Sequence, residues 1–260
     1  MTTARDTSDA PWWDNFFDDE YAAYGLSDFE NPRLETTADF LVDVLALNRG
    51  DSLFDQCCGV GRVSIPLAAR GVRVIGLDLI DSYVEVARHR AAESDLPCTF
   101  HCGDAHAFIA PEPCDAAINW YTSFGYDEDD AQNIRVLQCA FDSLKQGGRF
   151  ALDYHSTAKI LADFRETHVD RPGVGGREGL IVLHENEADF ARGVICGTWT
   201  AIYPDGRRVV HHVETRMYLP HEIIAMLRRC GFVEPALFGS VEKIPFDRAS
   251  PRCIVTARKP

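Results

Sequence analysis

A chain of 260 residues with 46% hydrophobic composition is long enough to bury a substantial core. Its formal net charge of −14 and lack of a clustered Lys/Arg run argue against nucleic acid as a partner, since that affinity comes mainly from neutralising phosphates. No run of 18 apolar residues exists, and Met1-Thr2-Thr3-Ala4-Arg5-Asp6 has no apolar signal core. Neither a membrane span nor secretion is therefore expected, and the cytoplasm is the expected compartment. The nine cysteines, without C-x-x-C pairs, read as reduced and mostly buried thiols.

Residues 1–31 carry Trp12, Trp13, Phe16, Phe17, Tyr21 and Tyr24. The four-residue spacings Trp12/Phe16 and Trp13/Phe17 predict a helical face. Such a segment either packs onto the body or forms a lid that keeps water from a site; the two readings are compatible. Asn31-Pro32 starts a helix whose apolar positions Leu34, Ala38, Leu41, Val42 and Leu45 recur at helical spacing, and Gly50 stops it. A buried strand over 52–55, an amphipathic stretch from Gly61 to Arg70 and a second buried strand over 72–78 follow. Helices are predicted over 81–93 and 128–145, and short strands near 99–100, 116–120 and 150–154. Helices alternating with buried strands imply an α/β fold, a doubly wound and mostly parallel sheet.

After His155 the pattern changes. Residues 170–179 are turn-rich, and strands are predicted over 180–184, 194–203 and 207–218, with Tyr203-Pro204-Asp205-Gly206 as a hairpin turn. Residues 165–218 thus read as an antiparallel β cap inserted after strand five. A late helix and strands over 232–238 and 252–258 complete a seven-stranded sheet. The expected organisation is a lid over 1–31 and one domain over 32–260.

The chemistry centres on Asp55-Gln56-Cys57-Cys58-Gly59-Val60-Gly61, followed by Asp78 at the end of the next strand. Strand, glycine turn, helix, strand and terminal carboxylate make a βαβ nucleotide site, the acid accepting hydrogen bonds from ribose hydroxyls. Ser64 stands where a dinucleotide motif has its third glycine. Asp55 would repel a pyrophosphate but suits a ligand carrying an ammonium and a sulfonium, as S-adenosylmethionine (SAM) does.

From about residue 33 onward the chain resembles the class I SAM-dependent methyltransferases. The resemblance rests on Asp55–Gly61, Asp78, Gly103-Asp104-Ala105, the strand 115–120, Leu144-Lys145-Gln146-Gly147-Gly148-Arg149-Phe150, and the segment from Tyr218-Leu219-Pro220-His221-Glu222 to Cys230-Gly231-Phe232. Cys57 departs from the pattern, which usually has glycine there. The resemblance implies a Rossmann-like fold, SAM as cofactor and S-adenosylhomocysteine as product. It implies cofactor contacts from Asp55, Cys57, Gly59, Gly61, Asp78, Leu79, Gly103, Asp104, Ala105 and Asn119.

Ligands of a doubly wound sheet gather at the carboxyl ends of its strands. Tyr121 and Tyr126 after strand four and His155 at the end of strand five are accordingly the candidate catalytic residues, His155 as a proton acceptor; packing alone also accounts for the aromatics. Trp13, Phe17, Tyr21, Tyr24 and the cap residue His211 are the candidate acceptor-binding residues. Cys98, His101, Cys102, His106 and Cys114 could be read as metal ligands, but an ordinary strand and loop is preferred and no metal is expected. The expected function is methyl transfer to a small molecule, on N or O, with a lean towards an amine because no strong base or metal triad is visible. The rivals are a SAM-binding regulatory module without catalysis and an NAD(P)-dependent dehydrogenase. Monomer and homodimer both stay open.

Overall fold

The computed structural model describes residues 11–172 and 178–260. The opening residues 1–6 and residues 173–177 of the turn-rich stretch expected over 170–179 lie outside these. The elements in chain order are α1 (Trp13–Phe16), α2 (Asp19–Tyr21), a π turn (Ala22–Leu26), α3 (Pro32–Val44), β1 (Ser52–Gln56), α4 (Ser64–Ala69), β2 (Arg73–Asp78), α5 (Asp81–Glu93), β3 (Cys98–Cys102), β4 (Cys114–Asn119), α6 (Asp130–Asp142), β5 (Leu144–His155), α7 (Thr157–Ala162), β6 (Thr167–Asp170), β7 (Ile181–Asp189), β8 (Val194–Ile202), β9 (Arg208–Arg216), α8 (Pro220–Arg229), β10 (Val233–Phe238) and β11 (Arg252–Arg258). They divide into two compact units, Met1–Ser27 with Arg165–Thr215 and Asp28–Phe164 with Arg216–Pro260.

The larger unit holds a seven-stranded sheet in the order β10-β11-β5-β4-β1-β2-β3. Strands β3, β2, β1, β4 and β5 run parallel; β11 pairs antiparallel with β5, and the edge strand β10 pairs antiparallel with β11 and so runs with the parallel set. The order reverses between β1 and β4, the switch point at which a doubly wound sheet opens a crevice. Side-chain alternation sorts the central strands onto two cores. Phe54, Leu77, Phe150, Leu152 and Val255 face a layer completed by Leu137, Ile223 and Leu227 of α6 and α8. Their neighbours Leu53, Ala151 and Ile254 face Leu41 and Leu67 of α3 and α4.

Helix starts follow their sequence signals. The Asn31 side chain accepts from the Arg33 N–H at 3.0 Å, with Pro32 at the first helical position. Asp129 caps α6 through the Ala131 N–H. Glu222 accepts from the Leu219 N–H at 2.8 Å at the start of α8. The segment Leu144–Gly148, between the helix expected over 128–145 and the strand expected near 150–154, already belongs to β5, and α6 ends at Asp142. Positive φ at Gly147 and a shifted register between Cys114 and Ala116 let the strand begin early.

The smaller unit is a four-stranded antiparallel sheet in the order β6-β7-β8-β9. The aromatic segment of the same unit is not the continuous helix that its spacing suggested. It breaks at Phe17, and Asp18 starts a new turn by accepting from the Tyr21 N–H at 2.8 Å. Phe16 is the buried member, with ring centroids 5.2 Å from Trp199 and 4.7 Å from Tyr21. Glu20 accepts from Arg207 at 2.7 Å and from the Tyr203 hydroxyl. The hairpin at Tyr203–Arg207 forms as expected, with Gly206 at φ +88°. Strand β6 was not anticipated. Among the described residues no helix is long and apolar enough to cross a membrane.

Candidate active site

The first strand end supplies a strained, open turn. Cys57, Gly59 and Gly61 all have positive φ, at +61°, +55° and +82°. A non-glycine residue at such an angle costs about 1–2 kcal/mol, which explains the glycine preference that Cys57 breaks. A Cβ on Gly61 would stand 3.2 Å from that of Ala87 on α5, so this glycine is needed for close packing. A Cβ on Gly59 would meet nothing within 4 Å, so this part of the turn faces open space. Beneath it Asp55 is buried and accepts from the Ser64 hydroxyl at 2.5 Å. Burial pushes its carboxyl up to about 7, with the negative charge of Asp78 adding to the rise and the Ser64 bond opposing it.

At the end of β2 the Asp78 carboxylate is held by backbone. One oxygen accepts from the Gly59 N–H at 2.7 Å and the other from the Ile80 N–H at 3.0 Å. Burial raises its pKa and these bonds oppose the rise. Gly103 donates to the Asp78 carbonyl at 2.9 Å, tying the following loop to the same strand end. In that loop His106 bridges two acids, with Nδ1 2.7 Å from Asp104 and Nε2 2.7 Å from Asp127. These partners lift His106 to about 9, Asp127 contributing most. Leu79 is exposed and Ala105 half-buried beside them.

Strands β4 and β5 form the other side of the crevice. Asn119 is fully buried, and its Nδ2 reaches Gln56 Oε1 and the Ser123 carbonyl, each at 3.3 Å, while its Oδ1 has no hydrogen-bond partner. Tyr121 and Thr122 are consecutive residues with φ of +59° and +63°, a conformation that a β-branched residue rarely adopts. Asp153 holds this turn. Its carboxylate accepts from the Tyr121 N–H at 3.1 Å and takes both arms of Arg252 at 2.7 Å, and Arg252 also donates to the Thr122 hydroxyl at 2.8 Å. Strain of this kind, held by a buried ion pair, is characteristic of functional sites. Tyr121 is 40% exposed, with the Arg62 guanidinium 4.9 Å from its ring centroid, and Tyr126 is half-buried.

His155 does not offer the proton acceptor anticipated from sequence. Its imidazole lies against Tyr154, centroids 4.0 Å apart, with Nε2 buried and unpartnered. Burial first and the Arg252 charge second push it down to about 3, so the ring is neutral but a poor base at pH 7. Tyr154 is also unsuited, its hydroxyl pushed far up by burial and bonded to the Arg216 carbonyl.

The expected acceptor-binding residues Trp13, Phe17, Tyr21, Tyr24 and His211 all belong to the smaller unit and gather there. Phe17 and Tyr24 each lie about 5.6 Å from Tyr21 by ring centroid, and His211 is buried with Nε2 3.0 Å from Asp18. The cofactor and catalytic candidates belong to the larger unit. Among the described residues Cys98, His101, Cys102, His106 and Cys114 do not form a ligand group, and all nine cysteines are free. Reasoning from sequence missed Arg252 and Asp127, which stand 99 and 21 residues from their partners. Asp153 was visible at a strand end, but its role was not.

The residues present fit SAM. The turn at Gly59 is open, Asp78 is oriented by backbone donors that leave it able to accept ribose hydroxyls, and Asn119 Oδ1 is a buried acceptor without a donor. Comparisons agree. Residues 53–148 match the model of a methyltransferase domain family. A SAM-dependent Diels-Alderase of Talaromyces variabilis is 34% identical over 122 residues, covering 43% of this chain and 39% of its own. The putative methyltransferase YqeM of Bacillus subtilis is 26% identical over 190 residues, covering 69% and 72%. The chain thus spans well under half of the first relative and most of the second.

Among solved structures, the CcbJ methyltransferase of Streptomyces caelestis has a TM-score of 0.75 at 19% identity, covering 88% of this chain and 90% of its own. The sugar N-methyltransferase KedS8 of Streptoalloteichus has 0.71 at 18%, covering 100% and 97%. The amino pentose methyltransferase CalS10 of Micromonospora echinaspora has 0.68 at 21%, covering 94% and 98%. At these identities the structures establish the fold. Residues 53–148 thus match a methyltransferase domain, and the chain shares the fold of these SAM-dependent methyltransferase structures.

Proposed function

We propose that the protein methylates an amine nitrogen of a small-molecule acceptor. The observation that carries this reading is the lack of a neutral-pH base at the ends of β4 and β5, where His155 is held near 3 and Asp153 is committed to Arg252. SAM, when bound, supplies an electrophilic methyl carbon on a positive sulfur. An amine that reaches it as the free base brings its own lone pair and loses its proton to solvent afterwards. A hydroxyl acceptor would need help that these side chains do not give.

The roles of the chain's residues follow from position. Gly59, Gly61 and Asp78 hold the nucleoside, Asp104 and Ala105 the adenine edge, and Asp55 answers the cofactor's positive charge. Leu79 packs against the nucleoside, and Cys57 accepts a cofactor beside it because its thiol stays protonated, pushed well up by burial. Asn119 offers its Oδ1 to the cofactor, and Tyr121 and Tyr126 orient the acceptor, since catalysis here is chiefly a matter of placing the nucleophile in line. His155 contributes a neutral ring nitrogen. Trp13, Phe17, Tyr21, Tyr24 and His211 remain proposed acceptor-binding residues. That KedS8 is a sugar N-methyltransferase and CalS10 an amino pentose methyltransferase supports this choice, and a net charge of −14 disfavours a nucleic acid.

The test is a panel of amino sugars, simple amines, phenols and carboxylates incubated with SAM and read by mass spectrometry. Methylated amines are expected, with turnover rising with pH as free amine accumulates. Methylation confined to phenols or carboxylates overturns the acceptor class. Bound SAM that is never consumed, a pertinent outcome given the Diels-Alderase relative, overturns the transfer itself.

A further inference from the structure

Three side chains of the four-stranded sheet have no part in methyl transfer and yet converge. His168 and Asp170 are two residues apart on β6, so they share a face, and His184 stands directly opposite His168 on β7. The two imidazoles lie flat against each other, centroids 4.3 Å apart with 2° between planes, and Trp199 packs edge-on to His184 at 4.6 Å. The His184 side chain is 8% exposed, and its Nε2 lies 3.2 Å from Asp170 Oδ2 without the alignment of a hydrogen bond. One donor atom from each residue can be chosen so that all lie within 4.8 Å of one another, the one such group among the described residues.

A buried ring nitrogen without a partner is unusual, since burial strips water from it and nothing is returned. Two stacked imidazoles with a carboxylate on the same side are a pair of nitrogen donors and one oxygen donor. We propose that His168, Asp170 and His184 bind a divalent transition-metal ion of the zinc type, with water completing the coordination. The nitrogen donors select against magnesium and calcium, which prefer oxygen alone. Donors around a tetrahedral zinc stand about 3.3 Å apart, which follows from bonds of about 2.0–2.2 Å. His184 and Asp170 are already at that separation, and Asp170, largely exposed, and His168, half-buried, have room to close the rest. The ion would staple the edge strand β6 to β7.

The experiment uses the untagged full chain, stripped with chelator and titrated with Zn²⁺ by calorimetry and with Co²⁺ by absorbance. One equivalent is expected to bind, with visible Co²⁺ bands and a higher melting temperature. Asp170→Asn, at an exposed position that leaves the sheet intact, should weaken binding by about tenfold or more, and His168→Ala likewise. Glu185→Gln, on the opposite face of β7, should change nothing. No stoichiometric binding below about 0.1 mM, or binding retained in both Asp170→Asn and His168→Ala, overturns the site. Neither readout depends on methyl transfer, so this result and the proposed activity can fail separately.

Discussion

The two compact units handle buried polar groups differently. In the parallel sheet the acids sit at strand ends, and each has its own partner: Ser64 for Asp55, backbone N–H groups for Asp78, and Arg252 for Asp153. In the antiparallel sheet the buried polar groups are histidines lodged in a strand face, and His184 and His211 each keep a buried nitrogen without a hydrogen-bond partner, as His155 does at a strand end of the larger unit. Parallel strands end together and deliver their loops to one edge, so chemistry concentrates there. Antiparallel strands offer cross-strand pairs instead, suited to packing or to a ligand held between neighbours.

The sharpest way to break this contrast is to remove one partner of a buried acid. Arg252→Met leaves the Asp153 carboxylate buried and unpaired, and should cost about 3–5 kcal/mol. Thermal melting should fall by roughly 10 °C. By contrast, Glu20→Gln in the smaller unit disturbs the exposed Arg207 and the half-buried Tyr203 hydroxyl, and should lower the melting temperature far less.

Asp55→Asn should act in the opposite direction. With the folded carboxyl near 7 and the unfolded one near 3.8, the native state keeps a proton that the unfolded chain has already released between those values. Stability from this group is therefore lost as pH rises from about 4 to 7, amounting to about 4 kcal/mol above that range. Urea unfolding at pH 5 and pH 8 checks it. The asparagine variant should gain on the wild type as pH rises, while binding SAM less well. A stability difference that is the same at both pH values contradicts the buried-acid account.

Asp78→Ala removes the ribose acceptor and leaves the Gly59 and Ile80 N–H groups without theirs. Charge-assisted hydrogen bonds contribute about 1.5–3 kcal/mol each, so SAM affinity should fall tenfold or more. Cys57→Gly is the mildest change. It relieves about 1–2 kcal/mol of left-handed strain, offset in part by the extra entropy of glycine in the unfolded chain. Stability should move by no more than about 1 kcal/mol, with SAM binding intact, as denaturant titration and calorimetry would show.

The same contrast explains what could be read from sequence. The parallel unit advertises itself, because buried strands are short apolar runs and the turn between β1 and α4 needs glycines and an acid in fixed order. Asp55, Gly59, Gly61 and Asp78 were therefore visible, as was the order of helices and strands. Strand β6 was not, because Thr167-His168-Val169-Asp170 is mostly exposed and carries no apolar signal. The strained pair Tyr121-Thr122 had no glycine or asparagine to betray it. The low pKa of His155 arises from enclosure by residues distant in sequence, Arg252 among them, which no local pattern reveals.

The most direct measurement is calorimetry of the intact chain and of Asp78→Ala with SAM, S-adenosylhomocysteine, NAD and NADP. The expected result is one-to-one binding of the two sulfur ligands, weakened tenfold or more by the substitution, and no response to either dinucleotide. Binding of NAD or NADP without binding of SAM would contradict the assignment of the β1–β2 crevice. Unchanged SAM affinity in a folded Asp78→Ala protein would show that another acid holds the ribose.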